Sequence, residues 1–201
     1  RTGRRRRYHH HPVRLSIIMC LKNLCRAFIG CLLVLLLAAC ASDYGRSNQE
    51  RRFISLRHPE SGEVVAVTYI RHYQYDPGAL QQIDRIFRDR HNNETIAIDP
   101  KLIDFIADLR DRIGLPETVT FDITSGYRSP ETNALLARSS RSVARESWHI
   151  KGKAVDLRVP NVTGKAMAEI AKTMQRGGVA FYPKTGHVHI DTGGVRTWQA
   201  Q

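Results

Sequence analysis

All four cysteines, Cys20, Cys25, Cys31 and Cys40, lie in the first 40 of 201 residues, so whatever folds after them contains neither a disulfide nor a thiolate. Such a fold must be held by an apolar core, and any metal site in it must use histidines and carboxylates. The length allows one domain with a substantial core, and not comfortably two. The charge divides at the same place. Of the formal net +12, the first 40 residues hold eight Lys and Arg and no Asp or Glu; the rest has 23 basic against 19 acidic residues, a net of +4. A mildly basic domain suits an anionic polymer. That count, with the export signal described next, argues against nucleic-acid binding.

From Met19 the chain reads as an export signal: Lys22 and Arg26 precede the apolar run 27–39. Those 13 residues fall short of the roughly 20 needed to span a bilayer but suit the apolar core of a signal. The run ends Leu37-Ala38-Ala39-Cys40, which resembles a bacterial lipobox. That resemblance implies cleavage before Cys40 and lipidation of its thiol, with two or three acyl chains giving stable anchoring; an uncleaved anchor helix is the alternative. The expected organisation is an upstream or cloning-derived segment over 1–18, a lipoprotein signal peptide over 19–39, a lipid-anchored tether over 40–52 and a folded domain over 53–201. The expected location is the periplasm. Ala41 and Ser42 lack the aspartate that often retains lipoproteins in the inner membrane, which favours the outer membrane.

Within the domain, Phe53–Arg57 and Glu63–Ile70 are β-type runs around Pro59-Glu60-Ser61-Gly62, which predicts a hairpin. Asp76-Pro77 and Asp99-Pro100 each predict a capped helix start, and Ser129-Pro130 a third; Gly114-Leu115-Pro116 stops the second helix. Further strands are predicted over Thr118–Thr124, Ala154–Val159, Val179–Tyr182 and Val188–Thr192, with a helix over Thr163–Gln175. This order predicts an α+β fold, a small, mainly antiparallel sheet with flanking helices.

Two strands carry the candidate chemistry. In Ala154–Val159, alternation puts Val155, Leu157 and Val159 on one face and Ala154, Asp156 and Arg158 on the other; a loop before it delivers His149, with Gly152 permitting a tight bend. In the last strand, His187, His189 and Asp191 share a face opposite Val188 and Ile190. His149, Asp156 and His189 would supply two nitrogens and one oxygen, and that set with a fourth position left for water is the pattern of catalytic zinc. Taken singly, each of these residues is more often a surface, capping or satisfied core group; the joint pattern is what points to a metal.

Ser147-x-His149-x-x-Gly152-x-Ala154-x-Asp156 followed by His187-x-His189 resembles the signature of zinc peptidases that include D-Ala-D-Ala carboxypeptidases and vancomycin-resistance D,D-dipeptidases. Ser125-Gly126-Tyr127-Arg128-Ser129-Pro130-x-Thr132-Asn133, Arg176-Gly177-Gly178-Val179 and Asp191-Thr192-Gly193 resemble more closely the murein endopeptidase K family, from about Phe53 to Trp198. The resemblance implies one zinc per chain on His149, Asp156 and His189, and a monomer acting on stem peptides of peptidoglycan. It implies that Arg128 holds a substrate carboxylate or the developing oxyanion, and that Ser147 lines the site and contacts substrate. His187 fits the place of the general base; Asp191 is the other candidate, or a partner that orients His189. The implied activity is hydrolysis of peptide cross-links. D,D- or L,D-carboxypeptidase activity and a non-catalytic wall-binding lipoprotein are the alternatives.

Overall fold

Among the described residues, four side-chain caps decide where the α-helices begin. Asp76 accepts from the Ala79 amide at 2.9 Å and starts α1 (Pro77–Ile86); Asp99 accepts from Lys101 at 3.0 Å and starts α2 (Pro100–Ile113). Ser129 accepts from Thr132 at 3.2 Å ahead of α3 (Pro130–Ser139), and Thr163 from Ala166 at 3.3 Å ahead of α4 (Gly164–Thr173). Each cap satisfies an amide that the first turn leaves open, a contribution of about 1 kcal/mol. Gly114 ends α2 at φ 81, as its position predicts. The computed structural model describes residues 50–140 and 143–199; the signal peptide, Cys40 and most of the tether lie outside the described residues.

The strands are β1 (Arg51–Arg57), β2 (Val64–Arg71), β3 (Gln74–Tyr75), β4 (Thr120–Ser125), β5 (Ala154–Arg158), β6 (Gly178–Phe181), β7 (Val188–Asp191) and β8 (Arg196–Gln199). They form one sheet in the order β3-β2-β1-β4-β5-β7-β6-β8. Only β1–β4 and β6–β8 pair in parallel, so the fold is α+β with a mainly antiparallel sheet, as predicted. The β1–β2 hairpin closes where expected, with the Gly62 amide donating to the His58 carbonyl at 2.9 Å. The first strand begins two residues earlier than predicted. Arg51 and Arg52 belong to it because Arg52 is held by Asp104 and Asp108 of α2 rather than by solvent.

Two strands, β3 and β8, have no counterpart in the sequence reading. Both are short edge strands: β8 pairs with β6, Gly178 against Arg196, whereas β3 is the return of a tight hairpin from β2 through His72 and Tyr73, both at positive φ with no Gly or Asn to signal the turn. Ile54, Leu56, Phe121, Val155, Leu157, Val188 and Ile190 of the sheet join Leu102, Phe105, Ile106 and Leu109 of α2 and Met167 of α4 in one buried core. That core takes one face of β5 and β7, leaving their other face for polar groups.

Candidate metal centre and its cleft

The register of β5 against β7 builds the site. Asp156 lies opposite His189, with Val155 opposite Ile190 and Leu157 opposite Val188. The apolar pairs are fully buried, and strict alternation then sets Asp156 and His189 side by side on the other face. His149 arrives on a 3-10 turn, Trp148–Lys151, where the sequence suggested a loop. The turn exists because its ends are satisfied: Ser147 Oγ accepts from the His149 amide at 3.3 Å, and Lys153 N donates to the Trp148 carbonyl at 3.1 Å. Gly152 closes it at φ 63, where a Cβ would approach the Ala97 carbonyl to 2.9 Å.

Three atoms converge: His149 Nε2 lies 3.2 Å from His189 Nδ1 and 3.4 Å from Asp156 Oδ1, and His189 Nδ1 lies 2.9 Å from Asp156 Oδ1. The other nitrogen or oxygen of each of these side chains is fixed from behind. His149 Nδ1 donates to the Gly126 carbonyl at 2.7 Å, and His189 Nε2 donates to Asp191 Oδ2 at 3.0 Å. Both partners can only accept, which dictates the tautomers and turns lone pairs inward. Asp156 Oδ2 accepts from Arg128 Nη2 at 2.8 Å. Three acceptors that face one another within 3.4 Å repel unless a proton or a cation sits among them. A tetrahedral zinc with bonds of about 2.0–2.1 Å has edges of about 3.3–3.4 Å between ligand atoms, so the donor set and its spacing fit the ion.

The electrostatics keep both carboxylates charged. Burial opposes the charge on Asp156, but with a proton rather than a cation among the three atoms, His149 and His189 hold it well below the usual carboxylate range. Burial likewise opposes Asp191, and hydrogen bonds from His189, Arg196, Gly178 and Gly193 outweigh it. Burial pushes His149 down, while for His189 it is overcome by Asp156 and Asp191, which raise it.

Of the other predicted residues, the structure brings Arg128, Ser147 and His187 to one cleft of about 580 Å³, together with Trp148, Tyr182 and Trp198. Arg128 is braced by Ser125 Oγ at 2.8 Å as well as by Asp156, and its Nη1 has no acceptor among the described residues. Ser147 reaches the cleft as the cap of the turn that carries His149. His187 sits just before β7, its Nδ1 2.7 Å from Thr185 Oγ1 and its ring stacked on Tyr182 at 4.3 Å. Burial lowers its basicity, and Arg158 and Arg128 push the same way against Asp156.

Asp191 is elsewhere. It has no exposed surface and does not line the cleft. Besides His189 it accepts from Arg196 Nη1 at 3.0 Å and Nη2 at 2.7 Å, from Gly178 N at 3.0 Å and from Gly193 N at 2.8 Å. A Cβ on Gly178 would lie 2.3 Å from Asp191 Oδ2, so only glycine lets that amide come so close. Sequence reasoning missed Arg196, the Gly126 carbonyl, Thr185, Tyr182 and Trp198. A backbone carbonyl carries no side-chain signal, and Arg196 and Trp198 sit on the unpredicted edge strand β8; only Gly126 lies within a motif already singled out.

Comparison with known proteins adds four findings. The family model described as peptidoglycan L,D-endopeptidase MepK matches residues 46–198. The "probable peptidoglycan L,D-endopeptidase MepK" of Haemophilus influenzae is 34% identical over 153 residues, covering 76% of this chain and 82% of that protein. The peptidoglycan L,D-endopeptidase MepK of Escherichia coli K12 is 34% identical over 152 residues, again covering 76% and 82%. No solved structure matches the chain.

Proposed function

Because the chain belongs to the peptidoglycan L,D-endopeptidase MepK family, we propose that it is a zinc-dependent hydrolase of peptide cross-links in bacterial peptidoglycan. The observation that carries this reading is the triangle of His149 Nε2, Asp156 Oδ1 and His189 Nδ1 in the wall of a cleft of peptide-binding size. Zinc, when bound there, supplies a Lewis acid that acidifies water and polarises the scissile carbonyl.

The chain's own groups do the rest. Water adds to the scissile carbonyl carbon, forming the new C–O bond and pushing the carbonyl electron pair onto oxygen; that pair returns as the C–N bond breaks, and His187 takes the proton from the attacking water and returns it to the leaving amine nitrogen. Thr185 at Nδ1 and the Tyr182 ring hold His187 in the cleft wall and leave Nε2, which has no partner among the described residues, available to move the proton. Arg128 Nη1 faces the developing oxyanion or a substrate carboxylate while Nη2 steadies Asp156. Ser147 holds the turn that aims His149. Asp191 is a positioning residue, fixing the tautomer and orientation of His189 through Nε2.

Digesting purified cross-linked muropeptides with the soluble domain tests this reading. Dimers should fall to monomers, the reaction should stop with chelator, and zinc should restore it; mass spectrometry identifies the products. Loss of a single terminal residue would instead make the enzyme a carboxypeptidase, and no product at all would leave a wall-binding protein.

The same reading carries a location: a periplasmic enzyme tethered by lipid on Cys40 to the outer membrane. The motif Leu37-Ala38-Ala39-Cys40 supports it. Radiolabelled palmitate should enter the parent protein and be absent from Cys40→Ser, which should accumulate as a longer precursor. Label persisting in that variant would refute lipidation at Cys40.

A further inference from the structure

The cleft does not end at the metal-ligand cluster. A second basin of about 470 Å³ shares Arg128, Asp156, Thr185 and His187 with the first and continues past them to Arg88, Arg90 and Arg158. The cations of this basin are not equivalent. Arg88 and Arg90 both hold Glu63, at 2.9 and 3.1 Å. Arg158 is exposed and makes no ion pair among the described residues. Its natural counter-ion is Asp122, directly opposite it in the β4–β5 register, but Asp122 is gripped by Arg57 through Nε at 2.7 Å and Nη2 at 3.0 Å. One acid thus lies between two arginines, and Arg158 is the one left over.

Its placement is specific. Arg158 follows Asp156 by two residues, so both side chains leave the same face of β5. The β5–β7 register, continued one residue beyond Leu157 and Val188, sets Arg158 beside His187. A guanidinium fork at that point, with Arg128 Nη1 also open, is built to take a planar anion. One unpaired arginine matches the single charge of a carboxylate better than the double charge of a phosphate.

We infer that the second basin binds a free carboxylate on the substrate residue that flanks the scissile bond, and that Arg158 selects for it. This rests on the endopeptidase reading above. The first basin, walled by Trp148, Tyr182 and Trp198, takes the peptide on the other side of the bond. The preferred substrate is therefore an acidic peptide whose carboxylate next to the cleaved linkage is neither amidated nor esterified.

Two forms of one cross-linked peptide test the assignment, with the flanking carboxylate free or amidated. The parent enzyme should prefer the free acid by about tenfold or more in kcat/KM, the size expected of a hydrogen bond to a charged group. Arg158→Gln should cut the free acid less efficiently and bring that ratio towards one; Arg158→Lys should keep part of it. A second measurement needs no turnover. The only two tryptophans of the chain, Trp148 and Trp198, both line the first basin, so their fluorescence follows binding of each peptide to metal-stripped protein. Arg158→Gln should weaken the free acid's Kd selectively. An unchanged ratio in Arg158→Gln, or equal losses for both peptides, would overturn the inference. If the parent cuts neither form, the endopeptidase reading fails, and the binding measurement alone then decides whether Arg158 recognises the carboxylate.

Discussion

Asp156→Ala is expected to hold no zinc, to lose turnover to the background level, and to melt about 6–20 °C below the parent when both are measured in chelator. The first two effects follow from removing one of three ligand atoms, which leaves too few to retain a catalytic ion. The third separates the structural from the chemical role of the carboxylate. Asp156 is the counter-ion of Arg128, at 2.8 Å, and both side chains are largely buried, 8% and 14% exposed. Removing one partner of such a pair strands the other and costs about 3–5 kcal/mol, and about 2–4 °C accompany each kcal/mol in a domain of this size. His149→Ala should lose zinc as completely yet melt closer to the parent, because Asp156 and Arg128 still compensate each other. Chelator in both samples keeps the stabilisation by bound metal out of the comparison. Elemental analysis and calorimetry read the outcome. A full equivalent of zinc in Asp156→Ala would mean that the cluster is not the ligand set.

What could be read in advance was what neighbouring residues decide among themselves. Asp76, Asp99, Ser129 and Thr163 cap helices through amides two or three residues away, so each start was visible as a local pattern. The polar face of β7 was equally visible, since alternation needs only the strand's own residues. The register was not. That Asp156 lies opposite His189, and not opposite His187 or Asp191, is fixed by pairing across 33 residues, and a slip of one would have turned the aspartate's face to the core. Strand β8 depends wholly on its distant partner β6, and β3, the two-residue return of a tight hairpin from β2, is too short to show an alternation. With β8 went Arg196, and with Arg196 the reason Asp191 is sealed away from the cleft. Two residues on the same strand face therefore looked interchangeable in the sequence, although one faces a cavity and the other five hydrogen-bond donors.

That difference in surroundings predicts opposite behaviour of the corresponding variants. His187→Ala should keep its zinc and lose roughly 10²–10⁴-fold in turnover, the usual contribution of a positioned acid or base. Added zinc should not restore it, since no ligand or ligand partner has changed. Asp191→Asn should fail in the other way. An amide cannot accept from His189, Arg196 and two backbone amides at once, so one hydrogen bond must reverse or break inside a fully buried pocket. His189 then loses the group that fixes its tautomer, and zinc affinity should fall about 10–100-fold. Excess zinc should recover much of the turnover in Asp191→Asn, because the atom that moves the proton is still in place. Zinc titration against turnover of a cross-linked muropeptide distinguishes the two. Near-normal turnover with full zinc in His187→Ala, beside an Asp191→Asn that binds zinc normally and is inactive, would exchange the roles. The buried carboxylate would then have to reach the substrate past His189 and Arg196, which its hydrogen bonds oppose at both oxygens.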